Sequence, residues 1–224
     1  EDEEPIGVRF RANHGSSSLP VSLFGALGRP RIYAALASIA VGECVGVDEV
    51  SSGQALASWV PPPGRVRLIK GKKYSVILDD TYNSSPSAAL SALDILSDIR
   101  TSGRKIAILG DMLELGRYAK EGHRQVGERA AKAADLLITI GIRSRTMAEA
   151  ALDAGMLDAN IRQYEHGEVE RAAEELLPEI QKGDVILVKG SQGMRMEKTV
   201  LALMAEPETA PVALVRMEKE WQFR

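Results

Sequence analysis

The chain has 224 residues, 45% of them hydrophobic and 26% charged, with a net charge of −3. This is the balance of a folded domain, without the basic field that draws a protein to nucleic acid or an anionic membrane. One cysteine, Cys44, leaves no internal disulfide to form and suits a reducing, cytoplasmic compartment, and no apolar run reaches the roughly 20 residues that span a bilayer.

In chain order, the acidic opening from Glu1 is neither a Met start nor a secretory signal, which reads as a fragment of something longer or as a trimmed chain. VRFRAN and SLPVSLF follow as two extended segments joined by the turn-rich HGSSS, then an alanine-rich helix over 30–45 that Pro30 starts. WVPPPGR (59–65) stops regular structure, because its three prolines fix φ and remove backbone donors. It marks a stiff hinge and a boundary near residue 64, with 1–64 too small and open-ended for a complete domain. From 75 to 206 one unit repeats: a short apolar run, a polar turn, an amphipathic helix. The runs are SVILDD (75–80), KIAILGD (105–111), LLITIG (136–141), IRQYE (161–165) and DVILVKG (184–190). Helices are expected from Pro86 with Ser85 as cap, and over 119–134, 145–154, 167–181 and 195–205. Strands alternating with helices predict an open, doubly wound, mostly parallel α/β sheet. Residues 207–224, with Trp221 and Phe223, read as a short terminal helix or a tail.

Ligands of such sheets bind beyond the carboxyl ends of the strands, and three polar clusters fall there. In DDTYNSSP, Asp79 and Asp80 close a strand ahead of Tyr82 and Asn83. A carboxylate can hold ribose hydroxyls, a phenol ring can stack on a base and an amide can read a base edge; equally, Asp80 and Asn83 can satisfy turn backbone. In ILGDMLELG, Asp111 can orient a ligand or cap a turn, and the later His123 can donate a proton or serve structure. In LVKGSQGMRME, Lys189, Gly190 and Ser191 precede a helix starting near Arg195. Helix N-terminus and ammonium together favour an anion, against a solvated strand-end charge for Lys189. Its strand differs from that of Asp80, so the two are expected in separate sites. Walker and G-x-G-x-x-G patterns are absent from the sequence, as are metal-ligand spacing and a nucleophile–base triad.

Taken together in this order, the three motifs resemble the Mur ligase family over residues 19–206, and Asp-Asp-x-Tyr-Asn resembles its D-alanyl-D-alanine-adding branch. The resemblance implies a Rossmann-like C-terminal domain at 65–206, preceded in 1–64 by the last part of a central ATPase domain. It implies ATP with Mg²⁺, an acyl phosphate, and joining of D-alanyl-D-alanine to UDP-N-acetylmuramoyl tripeptide by a monomer that engages small molecules and not nucleic acid. Arg65, Asp80, Tyr82 and Asn83 match the nucleotide border; Lys189, Ser191, His123 and Asp111 match the substrate side; no residue is matched to direct catalysis or to a metal. The sequence departs from the family at GRPRIY, where Pro30 and Arg31 replace the family's His and Asn. The family's phosphate loop and catalytic lysine are not among these residues. Catalysis by them alone is therefore not expected, and a non-catalytic binding or regulatory module is the alternative.

Overall fold

The computed structural model describes residues 5–221; Phe223 lies outside them. Strands β1 (Gly7–His14) and β2 (Ser17–Phe24) form an antiparallel hairpin. Helix α1 (Arg29–Cys44) follows, with Pro30 in its first turn, and then α2 (Glu49–Ser58), whose N-cap Asp48 accepts from Ser51 N at 3.0 Å. The sequence reading did not include α2; the capping Asp48 was its signal. Val21, Leu23 and Ala35 form a small core under this part.

The remaining strands build one six-stranded sheet: β3 (Arg67–Lys70), β4 (Val76–Asp80), β5 (Lys105–Gly110), β6 (Leu136–Ile140), β7 (Ile161–Tyr164) and β8 (Val185–Lys189), in the order β3-β4-β8-β5-β6-β7. Five are parallel, and each lies within one residue at either end of the run expected for it. The unexpected β3 pairs antiparallel with β4 as a four-residue edge strand. The crossovers are α3 (Pro86–Asp98), α4 (Ala119–Ala133), α5 (Arg145–Asp153) and α6 (Val169–Leu176), and α7 (Glu197–Leu203) follows β8. Pro178 turns the end of α6 into a short 3₁₀ segment, so that helix stops before residue 181.

Strand side chains alternate between the faces. Leu78, Leu109, Leu137 and Leu187 face α3, α4 and α5. Ile77, Ile108, Ile138, Ile186 and Val188 face α6 and α7. A last helix, α8 (Ala210–Ala213), joins this second core through Ala210, Ala213 and Leu214. Arg67 ties it to β3 by donating to the carbonyl of Val212 at 3.1 Å.

Candidate nucleotide-facing site

Because β8 is inserted between β4 and β5, the carboxyl ends of β4 and β8 adjoin, and Asp80 and Lys189 are register partners. Both side chains project on the α3 face, as do Leu78 and Leu187 two residues earlier. Lys189 Nζ meets Asp80 Oδ2 at 2.6 Å and donates to the carbonyl of Asn83 at 2.8 Å. Lys189 is 2% exposed, so it is not a solvated strand-end charge. Nor is it apart from Asp80: adjacent parallel strands bring the two clusters into one. An ammonium has three donors; two are engaged, and the third has no acceptor among the described residues.

Asp79 points to the opposite face. It is fully buried, accepting from Gly64 N at 2.9 Å and from Thr81 N and Oγ1 at 3.2 and 2.6 Å. Burial pushes its pKa up to about 6 against those bonds. The hinge is thereby fastened to the strand end. Tyr82 N returns a bond to Gly64 O at 3.1 Å. Gly64 has φ +68°, and a Cβ there would lie 2.8 Å from Tyr82 N, so only glycine fits. Arg65, the next residue, lies 3.9 Å from the centroid of the half-exposed Tyr82 ring, a cation–π pair.

A cleft of about 570 Å³ opens over this cluster, lined by Arg31, Arg65, Asp80, Asn83, Ser85 and Lys189 among others. Arg31, where the resemblance would place Asn, donates to the carbonyl of Arg65 and lies 5.7 Å from the Trp59 ring. Burial lowers its pKa, while the charge of Asp80 raises it. The carboxamide oxygen of Asn83 accepts from Ser84 N at 2.8 Å, the turn role for that atom. Ser85 caps α3, accepting from Ala88 N at 3.4 Å. A larger cleft of about 1210 Å³, near Arg29 and Arg100, adjoins the first through Leu27, Pro30, Ser91 and Ile95 and is lined by no residue of the three motifs.

The other expected substrate residues act as braces. Asp111 Oδ1 accepts from Ser144 N at 2.7 Å, fixing the entry to α5. His123 is fully buried. Its Nε2 accepts from Met112 N at 3.0 Å and its Nδ1 donates to Ala119 O at 2.6 Å, which sets the neutral tautomer. Burial lowers its pKa. No face of this ring is open to a ligand. Ser191 Oγ accepts from Leu113 N at 2.8 Å and its own N–H donates to Asp111 O at 3.0 Å, so it ties the β8 turn to the β5 turn.

The helix N-terminus expected beside Lys189 meets another group. The first turn of α7 holds the protein's own buried carboxylate, Glu197, paired with Arg195 at 2.6 Å and Arg216 at 2.7 Å. That carboxylate already meets the positive end of the helix, and α7 covers the face of the sheet opposite to Lys189. Arg216 escaped the sequence reading. It lies in a stretch without periodicity, and only the buried Glu197 reveals what it serves.

An open α/β sheet with a polar cleft at the ends of β4 and β8 defines the class: an α/β domain of the kind whose ligands bind at the carboxyl edge. The family model for the Mur ligase glutamate ligase domain matches residues 64–192, and the chain belongs to the Mur ligase family. It is similar to the UDP-N-acetylmuramoyl-tripeptide--D-alanyl-D-alanine ligases of Bacillus subtilis (31% identical, over 81% of this chain and 39% of that one) and Escherichia coli (32%, 88% and 42%). Among solved structures it resembles the MurF ligase of Thermotoga maritima in complex with ADP (29% identical, TM-score 0.68, 86% of this chain and 42% of that one). A pseudomurein peptide ligase type C from Methanothermus fervidus shares the fold (20% identical, TM-score 0.65, 87% of this chain and 40% of that one). The chain thus spans about two fifths of the length of these relatives. Among the described residues no helix is long and apolar enough to cross a membrane.

Proposed function

We propose that this chain is the carboxyl-terminal part of an ATP-dependent amide-forming ligase of peptidoglycan precursor synthesis, working in the cytoplasm as a monomer. It would join D-alanyl-D-alanine to UDP-N-acetylmuramoyl tripeptide through an acyl phosphate. The observation that carries this reading is the meeting of Asp80, Lys189 and Arg65 in the lining of one cleft at the switch of the sheet, with the Tyr82 ring stacked on Arg65. The half-exposed ring against a guanidinium and the buried ammonium with a donor to spare support this reading.

Three of these groups have distinct work. Tyr82 and Arg65 offer an aromatic and a cationic surface to a base or its sugar. Lys189, held by Asp80, presents its third donor to a phosphate or acyl oxygen as negative charge builds there. Mg²⁺ does not fit these residues: no three of His, Cys, Asp and Glu cluster among the described residues, and Asp80 is neutralised by Lys189.

The test is amide formation by a polypeptide carrying this chain together with the remaining length of its relatives, supplied with ATP, the tripeptide nucleotide and D-alanyl-D-alanine. ATP-dependent product that is lost in Lys189→Ala supports the reading. The second reading, a binding module, draws on Arg31, whose guanidinium is committed to Arg65 and Trp59 at the mouth of the cleft. Tight nucleotide binding without product would favour it.

A further inference from the structure

Between Asp80 and α3 the chain leaves the sheet, so the carbonyls of Thr81 and Tyr82 have no strand to pair with and need donors. They receive them from outside the matched family region. Arg216 donates through Nη2 to Thr81 O at 2.6 Å and through Nη1 to Tyr82 O at 3.2 Å. Its Nε and Nη2 meet Glu197 Oε2 at 3.0 and 2.7 Å. The guanidinium is almost completely buried, and the backbone of Arg216 takes φ +58°, an uncommon conformation for a side-chain-bearing residue. Val215, beside it, reaches the hinge: a Cβ on Gly64 would lie 3.0 Å from its Cγ1. The far end of the segment is fastened too, since Arg195, the second partner of Glu197, donates to the carbonyl of Trp221 at 2.9 Å.

We propose that residues 207–221 form a clasp that sets the aim of the Tyr82 ring, with Arg216 as its positioning residue. The Tyr82 hydroxyl makes no hydrogen bond among the described residues, and the ring is 46% exposed with Arg65 against it. Its direction is therefore set by its own backbone, and that backbone is held from one side by Asp79 through Thr81 and Gly64, and from the other by Arg216. The planar guanidinium makes four bonds here to two carbonyls and a carboxylate in a fixed geometry, one more than the three donors of an ammonium allow. The consequence is that the terminal segment, which follows the last motif, tunes the Tyr82–Arg65 surface beside the cleft.

The proposal rests on the nucleotide reading of the cleft, and the experiment separates the two. The full 224-residue chain is prepared as wild type, Arg216→Met, Arg216→Lys and Tyr82→Ala, and each is titrated with ADP while the ring signals of Tyr82 are followed by NMR. Arg216→Met is expected to shift those ring signals and weaken ADP about ten-fold, the scale of one lost base–aromatic stack. Signals of the distant β6 and β7 should stay in place. Arg216→Lys should restore part of both effects. If Arg216→Met melts earlier but keeps wild-type ring signals and ADP affinity, Arg216 is structural only and the proposal is overturned. If Tyr82→Ala binds ADP as well as wild type does, the nucleotide reading falls; the clasp is then decided by the ring signals, upheld if they move and overturned if they do not. Should Arg216→Met fail to fold, Arg216→Gln, which keeps a donor for one carbonyl, takes its place under the same criteria.

Discussion

A strand's pleat sends successive side chains to opposite faces, and at the end of β4 it gives two neighbouring carboxylates different surroundings. Asp79 is sealed against the hinge, whereas Asp80 meets Lys189 at the cleft wall. With its pKa raised to about 6, Asp79 keeps its proton in the folded state where the unfolded chain has already released it. Its contribution to stability is therefore fully present below about pH 4 and lost as pH rises through about 6, some 3 kcal/mol in all. Asp79→Asn cannot titrate. Chemical denaturation should show the variant gaining on wild type by about that amount between pH 4 and 6.5; a difference that stays flat with pH would contradict the assignment. Lys189→Met leaves Asp80 as an uncompensated buried charge and should cost about 3–5 kcal/mol, most of it recovered when Asp80→Asn is added. Since the pair sits in one wall, Lys189→Met should also weaken ADP binding, measured by the same titration. Unchanged affinity would return Lys189 to a site of its own.

At the level of elements, the parallel strands were legible because their apolar runs are continuous, and α3 because Ser85 and Pro86 mark its start. The edge strand β3 was not: RLIK is four residues long and follows Val66, which takes φ +52° directly after the hinge. The site was legible as a set of strand ends but not as a set of contacts. Motif spelling brings Asp111, His123 and Ser191 to notice, yet only packing shows that each bonds backbone, with the second oxygen of Asp111 facing Arg143. Register, which no single sequence prints, is what joins Asp80 to Lys189. Residues 64–221 are expected to melt cooperatively without the preceding residues, because the sheet and both of its cores lie among them. Removing 207–221 as well takes Ala210, Ala213 and Leu214 out of the second core and should lower the Tm by about 5 °C, followed by circular dichroism. An unchanged Tm would show that this segment contributes nothing to the core.

For the whole molecule, α1 has the composition of a buried helix, yet Tyr33, Leu36 and Val41 stand exposed. The chain should accordingly bind an apolar dye such as ANS, and a Tyr33→Glu, Val41→Glu variant should bind less. The purified chain is also expected to hydrolyse no ATP with Mg²⁺, since its sequence contains no phosphate loop. The central claim is that the cleft between the hinge and the ends of β4 and β8 faces the nucleotide. It is tested most directly by titrating the isotopically labelled chain with ADP and mapping the shifted NMR signals. The account predicts weak, saturable shifts centred on Arg65, Tyr82, Asn83 and Lys189. Shifts centred instead on the larger cleft near Arg29 and Arg100, or none at millimolar ADP, would contradict it.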